Sequence, residues 1–227
     1  MRAFFDTIRK PLYRGSLKQS QVDGLDLIVK DCRTAGLSLK QAAYVLATAH
    51  HETGGRMQSV REGFASTDKG AIAAVTKLFN KGRISTNYAL PDPKTGKSYF
   101  GRGFVQLTWA ANYKRLGERL NLPLYENPDL TLEPETSVRI LVDGMKEGLF
   151  TGQKLDDYIG GDYRGARKIV NGTDKAALIA GYAEIFEDAL EAIEYAPGAD
   201  LPAPVGEASS PIKRIIRLII ELLEKLL

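Results

Sequence analysis

Two glutamates that lie ten residues apart, Glu52 and Glu62, are the side chains of this chain best suited to cleaving a polymer. Two carboxylates can divide the roles of general acid and general base between them. Glu52 falls in the last turn of a predicted helix and continues its apolar face, where burial and the negative end of the helix dipole disfavour the ionised carboxylate. The neutral form that a general acid needs is therefore favoured. The alternative role is a solvent-exposed side chain that caps the helix end.

The motif around Glu52, AHHETGG at 49–55, closes a helix that is predicted over residues 39–53. Ser38 and Gln41 have the spacing of a capping box at its start, and the glycine pair of the motif stops it. Apolar residues recur every three or four positions, so one face of this helix is predicted to be buried. That face consists of Leu39, Ala42, Ala43, Val45, Leu46 and Ala49.

Two adjacent histidines raise the question of a metal site, because His51 and Glu52 begin a sequence like that of a zinc protease helix. The pattern fails at its fifth position, where Gly55 stands in place of the second histidine. The chain has two histidines and one cysteine, Cys32, which lies on the apolar side of a predicted helix. We therefore expect no metal, no nucleophile triad and no cofactor, and we assign one histidine a structural hydrogen bond beside Glu52.

A second block, YFGRGFVQLTWAANY at 99–113, places polar side chains between glycines and the start of a helix. Glycines allow a ligand to approach the backbone closely, and Gln106 can both donate to and accept from an acetamido group. Thr108 can hold a water, or it can simply cap the following helix. The aromatic residues of the block are predicted to pack in the core, although Tyr99 is also a candidate sugar contact. These residues are Tyr99, Trp109 and Tyr113.

A third block, RGARKIVNG at 164–172, carries basic residues on a short predicted helix that ends at an Asn-Gly pair. In a functional interpretation, Asn171 contacts a substrate amide and either Arg164 or Arg167 points at one of the glutamates. The alternative is that Asn171 serves only as a helix stop, which is an ordinary use of Asn-Gly.

Helical periodicity recurs along the chain, whereas strand-like alternation is scarce. An irregular stretch at 84–103 is rich in glycine and proline, and loops of this length are usually functional. We expect it to form part of a cleft wall, with room for a short hairpin inside it. The predicted fold class is all-α, with helices that surround a central cleft. The predicted helices span 21–33, 39–53, 71–80, 109–120, 134–147, 163–170 and 174–193.

Composition and charge exclude several classes of protein. A 44% share of hydrophobic residues suits a globular core, and a single cysteine cannot form an intrachain disulfide. The net charge is +3, and residues 1–211 hold 27 basic and 26 acidic residues, so no basic face indicates a nucleic-acid partner. The N-terminal segment has charges and a proline before any apolar run of signal-peptide length. We therefore expect the chain to be made in the cytoplasm without a Sec-type signal.

The C-terminal region changes composition. Residues 195–211 contain four prolines and read as a linker between a domain at 1–194 and a final segment at 212–227. That segment predicts an amphipathic helix of roughly 24 Å, too short and too charged to span a bilayer. We expect it to contact anionic lipid or an outer-membrane surface, with self-association as the alternative. The predicted membrane contacts are Ile212, Lys213, Arg214, Ile216, Arg217 and Ile219.

Together the three blocks resemble glycoside hydrolase family 19, the chitinase-like fold, in composition, order and spacing over residues 39–187. The chain looks closest to the bacteriophage endolysins of that family, because the gap between the two glutamates is short and the disulfides of plant chitinases cannot form. The resemblance implies a lysozyme-like fold of two helical lobes, plus the C-terminal amphipathic helix. It also implies inverting hydrolysis of a β-1,4 bond next to an N-acetylated sugar.

The resemblance also implies a role for each matching residue. Glu52 would be the general acid, Glu62 the general base, and Thr108 the hydroxyl that positions the attacking water. Gln106 and Asn171 would contact the sugar, and Arg167, with Arg164 as the alternative, would be the cleft arginine.

Three functions follow from this resemblance. The first is an endolysin, expected to be a monomer in the host cytoplasm, that lyses bacteria by hydrolysing peptidoglycan glycan strands once the membrane is opened. The second is a chitinase, and the third is a non-catalytic module that binds the cell wall.

Overall fold

The computed structural model describes residues 1–158 and 160–198. The end of the predicted linker and the whole predicted helix at 212–227 lie outside these residues, and so do its predicted membrane contacts. In the part of the chain that the structure describes, no helix is both long enough and apolar enough to cross a membrane.

Seven α-helices make up most of the described fold, which confirms the predicted all-α class. Two strands of two residues each, β1 and β2, pair antiparallel, with Val60 opposite Gly103 and Arg61 opposite Arg102. The helices are α1 (Arg2–Tyr13), α2 (Gln19–Thr34), α3 (Leu39–Glu52), α4 (Asp68–Asn80), α5 (Ala110–Leu120), α6 (Pro134–Glu147) and α7 (Ala176–Glu191); the strands are β1 (Val60–Arg61) and β2 (Arg102–Gly103).

Helix α3 lies at the centre of the main hydrophobic core. Every residue from Ala42 to His50 is buried, so this helix is enclosed on all sides rather than along a single stripe. It packs most extensively against α7, and α1, α2 and α6 complete the surrounding layer. Because α3 is held on all sides, its C-terminal turn is a rigid place for a functional side chain.

A second and smaller hydrophobic cluster lies apart from the main core. It is formed by α4 and by the irregular stretch at 84–103, and its buried members are Ala71, Val75, Ala89 and Phe100. The short β1–β2 pairing lies at the boundary, since Phe104 just beyond β2 belongs to the main core. The region between α3 and this cluster holds both glutamates.

Several boundaries differ from the sequence predictions. Helix α1 was not among the predicted helices, and it contains Pro11 near its C-terminal end. The predicted hairpin inside 84–103 is wrong, because β2 at the end of this stretch pairs with β1 instead. The predicted helix at 163–170 is a short 3-10 helix, Gly165–Ile169.

Candidate active site

Helix α3 begins and ends with the stabilising contacts that the sequence predicts. These contacts set the position of Glu52 in its last turn. At the start, the Ser38 hydroxyl accepts from Gln41 N and the Gln41 side-chain oxygen accepts from Ser38 N, which is the predicted capping box. At the end, Gly55 N donates to the His50 carbonyl at 2.7 Å, with Gly54 and Gly55 both at positive φ. The glycine pair therefore turns the chain away immediately after Glu52.

Arg167 is the partner of Glu52. Its Nη1 donates to Glu52 Oε1 at 2.8 Å, and its Nε donates to the Asp174 carbonyl at 3.1 Å. The Arg167 side chain is 4% exposed and that of Glu52 is 17% exposed, so this ion pair is largely shielded from water. Arg164, the alternative in the sequence analysis, is exposed to solvent. The structure thus places a positive charge directly against the Glu52 carboxyl group.

The two histidines beside Glu52 have different surroundings. His50 is buried, its Nδ1 hydrogen-bonds the Tyr13 hydroxyl at 3.2 Å, and its ring meets Tyr13 and Tyr182 edge-on. Burial lowers the pKa of His50 to about 4, so it is neutral at pH 7 and serves as a core residue. His51 is half-buried, and desolvation lowers its pKa although the Glu52 charge opposes this shift. Among residues 1–158 and 160–198, no cluster of three or more His, Cys, Asp or Glu could hold a metal ion.

Glu62 is held by the irregular stretch that the sequence assigned to the cleft wall. Its Oε1 accepts from the Tyr88 hydroxyl at 2.5 Å, and its Oε2 accepts from Gly101 N at 2.8 Å. Its own N donates to the Gly101 carbonyl at 2.7 Å. Burial and the Glu62 carboxylate raise the pKa of Tyr88, so the phenol keeps its proton and donates it. Glu62 is therefore fixed by two hydrogen bonds to its carboxylate and one to its backbone.

The segments that follow Glu52 and Glu62 touch each other. The Arg56 guanidinium carbon lies 3.6 Å from the centre of the Phe64 ring, a cation–π contact. A Cβ atom at Gly54 would lie 2.9 Å from the same ring, and the φ of 56° at this residue also favours glycine. These contacts join the segment after Glu52 to the 3-10 turn Glu62–Phe64.

Gln106 has its side-chain amide engaged with the backbone. Its Nε2 donates to the Val60 carbonyl at 3.0 Å and to the Gly103 carbonyl at 3.2 Å, which ties β1 to β2. Its Oε1 lies close to Gly101, because a Cβ atom there would be 2.8 Å from it. The predicted contact of Gln106 with a sugar stays a prediction.

Thr108 is not the N-cap of α5. That position belongs to Trp109, which makes no side-chain cap hydrogen bond, and the Thr108 hydroxyl donates to the Gln106 carbonyl at 2.9 Å. The capping alternative is therefore wrong. Since the hydroxyl oxygen retains acceptor capacity, the predicted role in positioning a water stays open.

The aromatic residues of the second block divide between core and surface. Tyr113 and Tyr99 are buried, and the Tyr99 hydroxyl donates to the Tyr125 carbonyl at 2.6 Å. Tyr99 is thus a core residue, and the prediction that it contacts a sugar is not supported because its ring is 2% exposed. Trp109 was predicted to pack in the core, but it is 46% exposed, and its ring centroid lies 4.9 Å from that of Tyr88.

Asn171 lies at the end of the 3-10 helix that carries Arg167. It is exposed, its side-chain oxygen accepts from Gly172 N at 2.8 Å, and its N donates to the Arg167 carbonyl at 3.0 Å. These contacts suit a helix stop, and the predicted sugar contact stays a prediction.

Tyr88 and Gly101 are the site residues that sequence reasoning did not single out. Both lie in the stretch at 84–103, which has no periodicity from which their proximity to Glu62 could be predicted. The only signal was the length of the stretch, which indicated a functional loop.

We expect Gly101→Ala to lower kcat/KM about 100-fold, because a misplacement of about 1 Å can have an effect of that size. A Cβ atom there would lie 2.8 Å from Gln106 Oε1 and 3.2 Å from Glu62 Oε2, and Gln106 cannot move without losing its bonds to β1 and β2. Steady-state hydrolysis of a soluble oligosaccharide measures the change. Gly181→Ala is the matched control, since a Cβ atom there meets nothing within 4 Å. Equal activity of both variants would show that Gly101 does not position Glu62.

Two separately anchored glutamates, Glu52 at the end of α3 and Glu62 in the 3-10 turn after β1, could divide the roles of acid and base between them. Residues 32–140 match the family model of glycoside hydrolase family 19, described as chitinase class I. The matched region contains both glutamates, whereas Arg167 lies beyond it. The match covers slightly less than half of the chain, and over that stretch the chain is similar to this family.

Two curated relatives and one solved structure illustrate the similarity. An endochitinase of Carica papaya is 38% identical over 93 residues, which are 39% of this chain and 35% of that protein. Inactive chitinase-like protein 1 of Hevea brasiliensis is 44% identical over 50 residues, which are 20% of this chain and 16% of that protein. Chitinase C of Streptomyces griseus HUT6037 has the same fold, with a TM-score of 0.53 and 18% identity, over 88% of this chain and 78% of that chain.

The chain thus spans at most about a third of the length of these two curated relatives. Both are plant proteins, so the closer likeness to bacteriophage endolysins stays a prediction.

Proposed function

We propose that this chain is an inverting glycoside hydrolase that cuts β-1,4 bonds next to N-acetylated sugars. The observation that carries the proposal is the separate anchoring of two glutamates, Glu52 by Arg167 and Glu62 by Tyr88 and Gly101. Both glutamates keep part of their surface exposed, so a substrate can reach them. Groups that are already oriented need little reorganisation during reaction.

In the proposed reaction, Glu52 gives its proton to the glycosidic oxygen as the bond from that oxygen to the anomeric carbon breaks. A water attacks the anomeric carbon from the opposite face, and Glu62 takes the proton that this water loses. Each Glu62 oxygen already accepts one hydrogen bond but has a further lone pair for the water. After the step Glu52 is ionised and Glu62 is protonated, and the enzyme is restored when Glu62 releases its proton to solvent and Glu52 takes one up.

Three further residues complete the proposal. Thr108, whose hydroxyl donates to the Gln106 carbonyl, would accept a hydrogen bond from the attacking water. Gln106 and Asn171 would contact the acetamido groups of the sugar. Arg167 would keep the Glu52 carboxyl pointed at the glycosidic oxygen.

Peptidoglycan is the substrate that we propose, with host lysis as the outcome after the membrane opens. The support is the ten-residue spacing of the two glutamates and the single cysteine, which resemble the endolysin members of the family. Chitin is the alternative, and the endochitinase named above favours it. Both polymers present N-acetylglucosamine in β-1,4 linkage, so the site chemistry suits either.

Purified peptidoglycan and chitin oligomers, digested in parallel, separate these substrates. Soluble fragments from peptidoglycan would support the endolysin, and mass analysis of their reducing ends would identify the bond that is cut. Cleavage of chitin oligomers alone would reject peptidoglycan as the substrate.

A non-catalytic wall-binding module is the third candidate, and a relative that is named inactive makes it worth testing. The presence of both glutamates with their anchoring contacts speaks against it. Substitution of Glu52, argued in the Discussion, distinguishes binding from hydrolysis.

A further inference from the structure

Trp109 has an environment that core packing does not explain. It is the only tryptophan of the chain, and its side chain is 46% exposed although large aromatic residues gain free energy from burial. Its backbone has φ 74° and ψ 130°, a strained conformation that L residues rarely adopt. Strain of this kind clusters at functional sites because the surrounding structure must hold it in place.

The backbone around Trp109 is held on both sides. Its N donates to the Tyr99 carbonyl at 2.9 Å, and its carbonyl accepts from Asn112 N at 2.9 Å. Gln106, three residues earlier, is also at positive φ, 52°, and its amide is fixed to β1 and β2. These contacts fix the backbone of the turn from which the Trp109 side chain projects.

The Trp109 indole lies against Tyr88, the residue that contacts Glu62. The Trp109 ring centroid lies 4.9 Å from that of Tyr88 with an angle of 52° between the planes, and the Tyr88 hydroxyl donates to Glu62 Oε1. One aromatic side chain thus separates the exposed indole from the carboxylate of the proposed base. A ligand that contacts the Glu62 carboxylate would therefore lie close to Tyr88.

We propose that Trp109, supported by Tyr88, is a stacking platform for the C–H face of a pyranose ring on the Glu62 side of the cleavage point. The proposal rests on the proposed function, because the ring belongs to the polysaccharide that Glu52 and Glu62 cut. A pyranose offers an apolar face of C–H groups, and an exposed indole offers the complementary flat apolar surface. Trp109 would therefore set substrate affinity and the preference for longer chains, and it would take no part in the proton transfers.

Fluorescence tests the contact directly, because Trp109 is the only indole. In a Glu52→Gln background, which prevents turnover, addition of N-acetylglucosamine oligomers or soluble peptidoglycan fragments should shift or quench the emission in a saturable way. An unchanged spectrum under conditions where binding is shown by calorimetry would overturn the proposal.

Kinetics give a second test. Trp109→Ala should raise KM about tenfold on long oligomers, with kcat within about twofold, and Trp109→Phe should recover most of the affinity. Phe79→Ala is the matched control, since Phe79 is an aromatic residue of α4 with a similar exposure of 42%. Equal effects of Trp109→Ala and Phe79→Ala on KM would overturn the proposal.

Thermal stability distinguishes a structural role of Trp109 from a role in binding the substrate. Trp109→Gly should keep or raise the thermal midpoint, since glycine accepts positive φ without strain, and should raise KM as much as Trp109→Ala does. A lower midpoint with unchanged KM would show that the indole is structural. Failure of the wild-type chain to hydrolyse either polymer would reject the proposed function itself, whereas an active wild type with unaltered Trp109 variants would reject only the platform.

Discussion

Glu52→Gln should lower kcat by about 100- to 10,000-fold, the usual contribution of a general acid, and should leave KM and wall binding nearly unchanged. Glutamine has almost the same shape, and its side-chain oxygen can still accept the 2.8 Å hydrogen bond from Arg167. What it lacks is the proton that the leaving oxygen takes. Release of soluble fragments measures hydrolysis, and co-sedimentation with insoluble wall measures binding.

Glu118→Gln is a suitable control for this experiment. Glu118 lies on α5 with its side chain 69% exposed, so the substitution removes the same charge without touching the site. Hydrolysis that continues undiminished in Glu52→Gln would show that the acid is wrongly assigned. Loss of hydrolysis with retained binding is also the result that separates an enzyme from a wall-binding module.

The helices could be predicted from sequence where local signals agree. The capping box of Ser38 and Gln41 and the Pro134 at the start of α6 both mark helix starts that the structure reproduces. Helix α1 was missed although Phe4, Ile8 and Leu12 recur at helical spacing on one face, because Pro11 in its last turn and its short length weaken the signal. Its apolar face packs against α7, which stabilises the helix.

The site could be predicted only in part, for geometric reasons. Arg164 and Arg167 are three residues apart on a short helix, where such residues share a face, and only the tertiary structure shows that Arg167 is the buried one. The contact of Tyr88 with Glu62 depends on the path of the stretch at 84–103, whose end pairs with β1. No local sequence pattern predicts this pairing. The exposure of Trp109 likewise depends on a strained turn that propensity does not predict.

Arg102 holds the region behind Glu62 together. Its side chain is 1% exposed, and it donates to Asp129 at 2.9 Å, to Asp68 at 3.0 Å and to the Ser98 carbonyl at 2.8 Å. Its guanidinium carbon lies 3.6 Å from the centre of the Phe100 ring. One buried cation therefore connects β2, the start of α4 and the 3-10 helix Pro128–Leu132.

Arg102→Met should lower the free energy of unfolding by about 3 kcal/mol, the lower end of the range for breaking a buried ion pair, because its two aspartate partners can be rehydrated. Urea unfolding measures this loss. Arg139→Met is the control, since its pair with Asp143 on α6 is more exposed and should contribute at most about 0.5 kcal/mol. Equal losses in the two variants would contradict a central role for Arg102.

The loss of stability caused by Arg102→Met should also depend on pH, and the direction of this dependence follows from the pKa of Asp68. Burial alone would raise the pKa of Asp68, but the hydrogen bonds and charges of Arg61 and Arg102 hold it below its usual value. A depressed pKa contributes stability above the unfolded value of about 3.9, and this contribution disappears as the pH falls through the folded value. The stability difference between wild type and Arg102→Met should therefore be constant from pH 7 to about 5 and should narrow below about pH 4. A difference that stays constant below about pH 4 would show that Arg102 stabilises the fold by packing on Phe100 rather than through its charge.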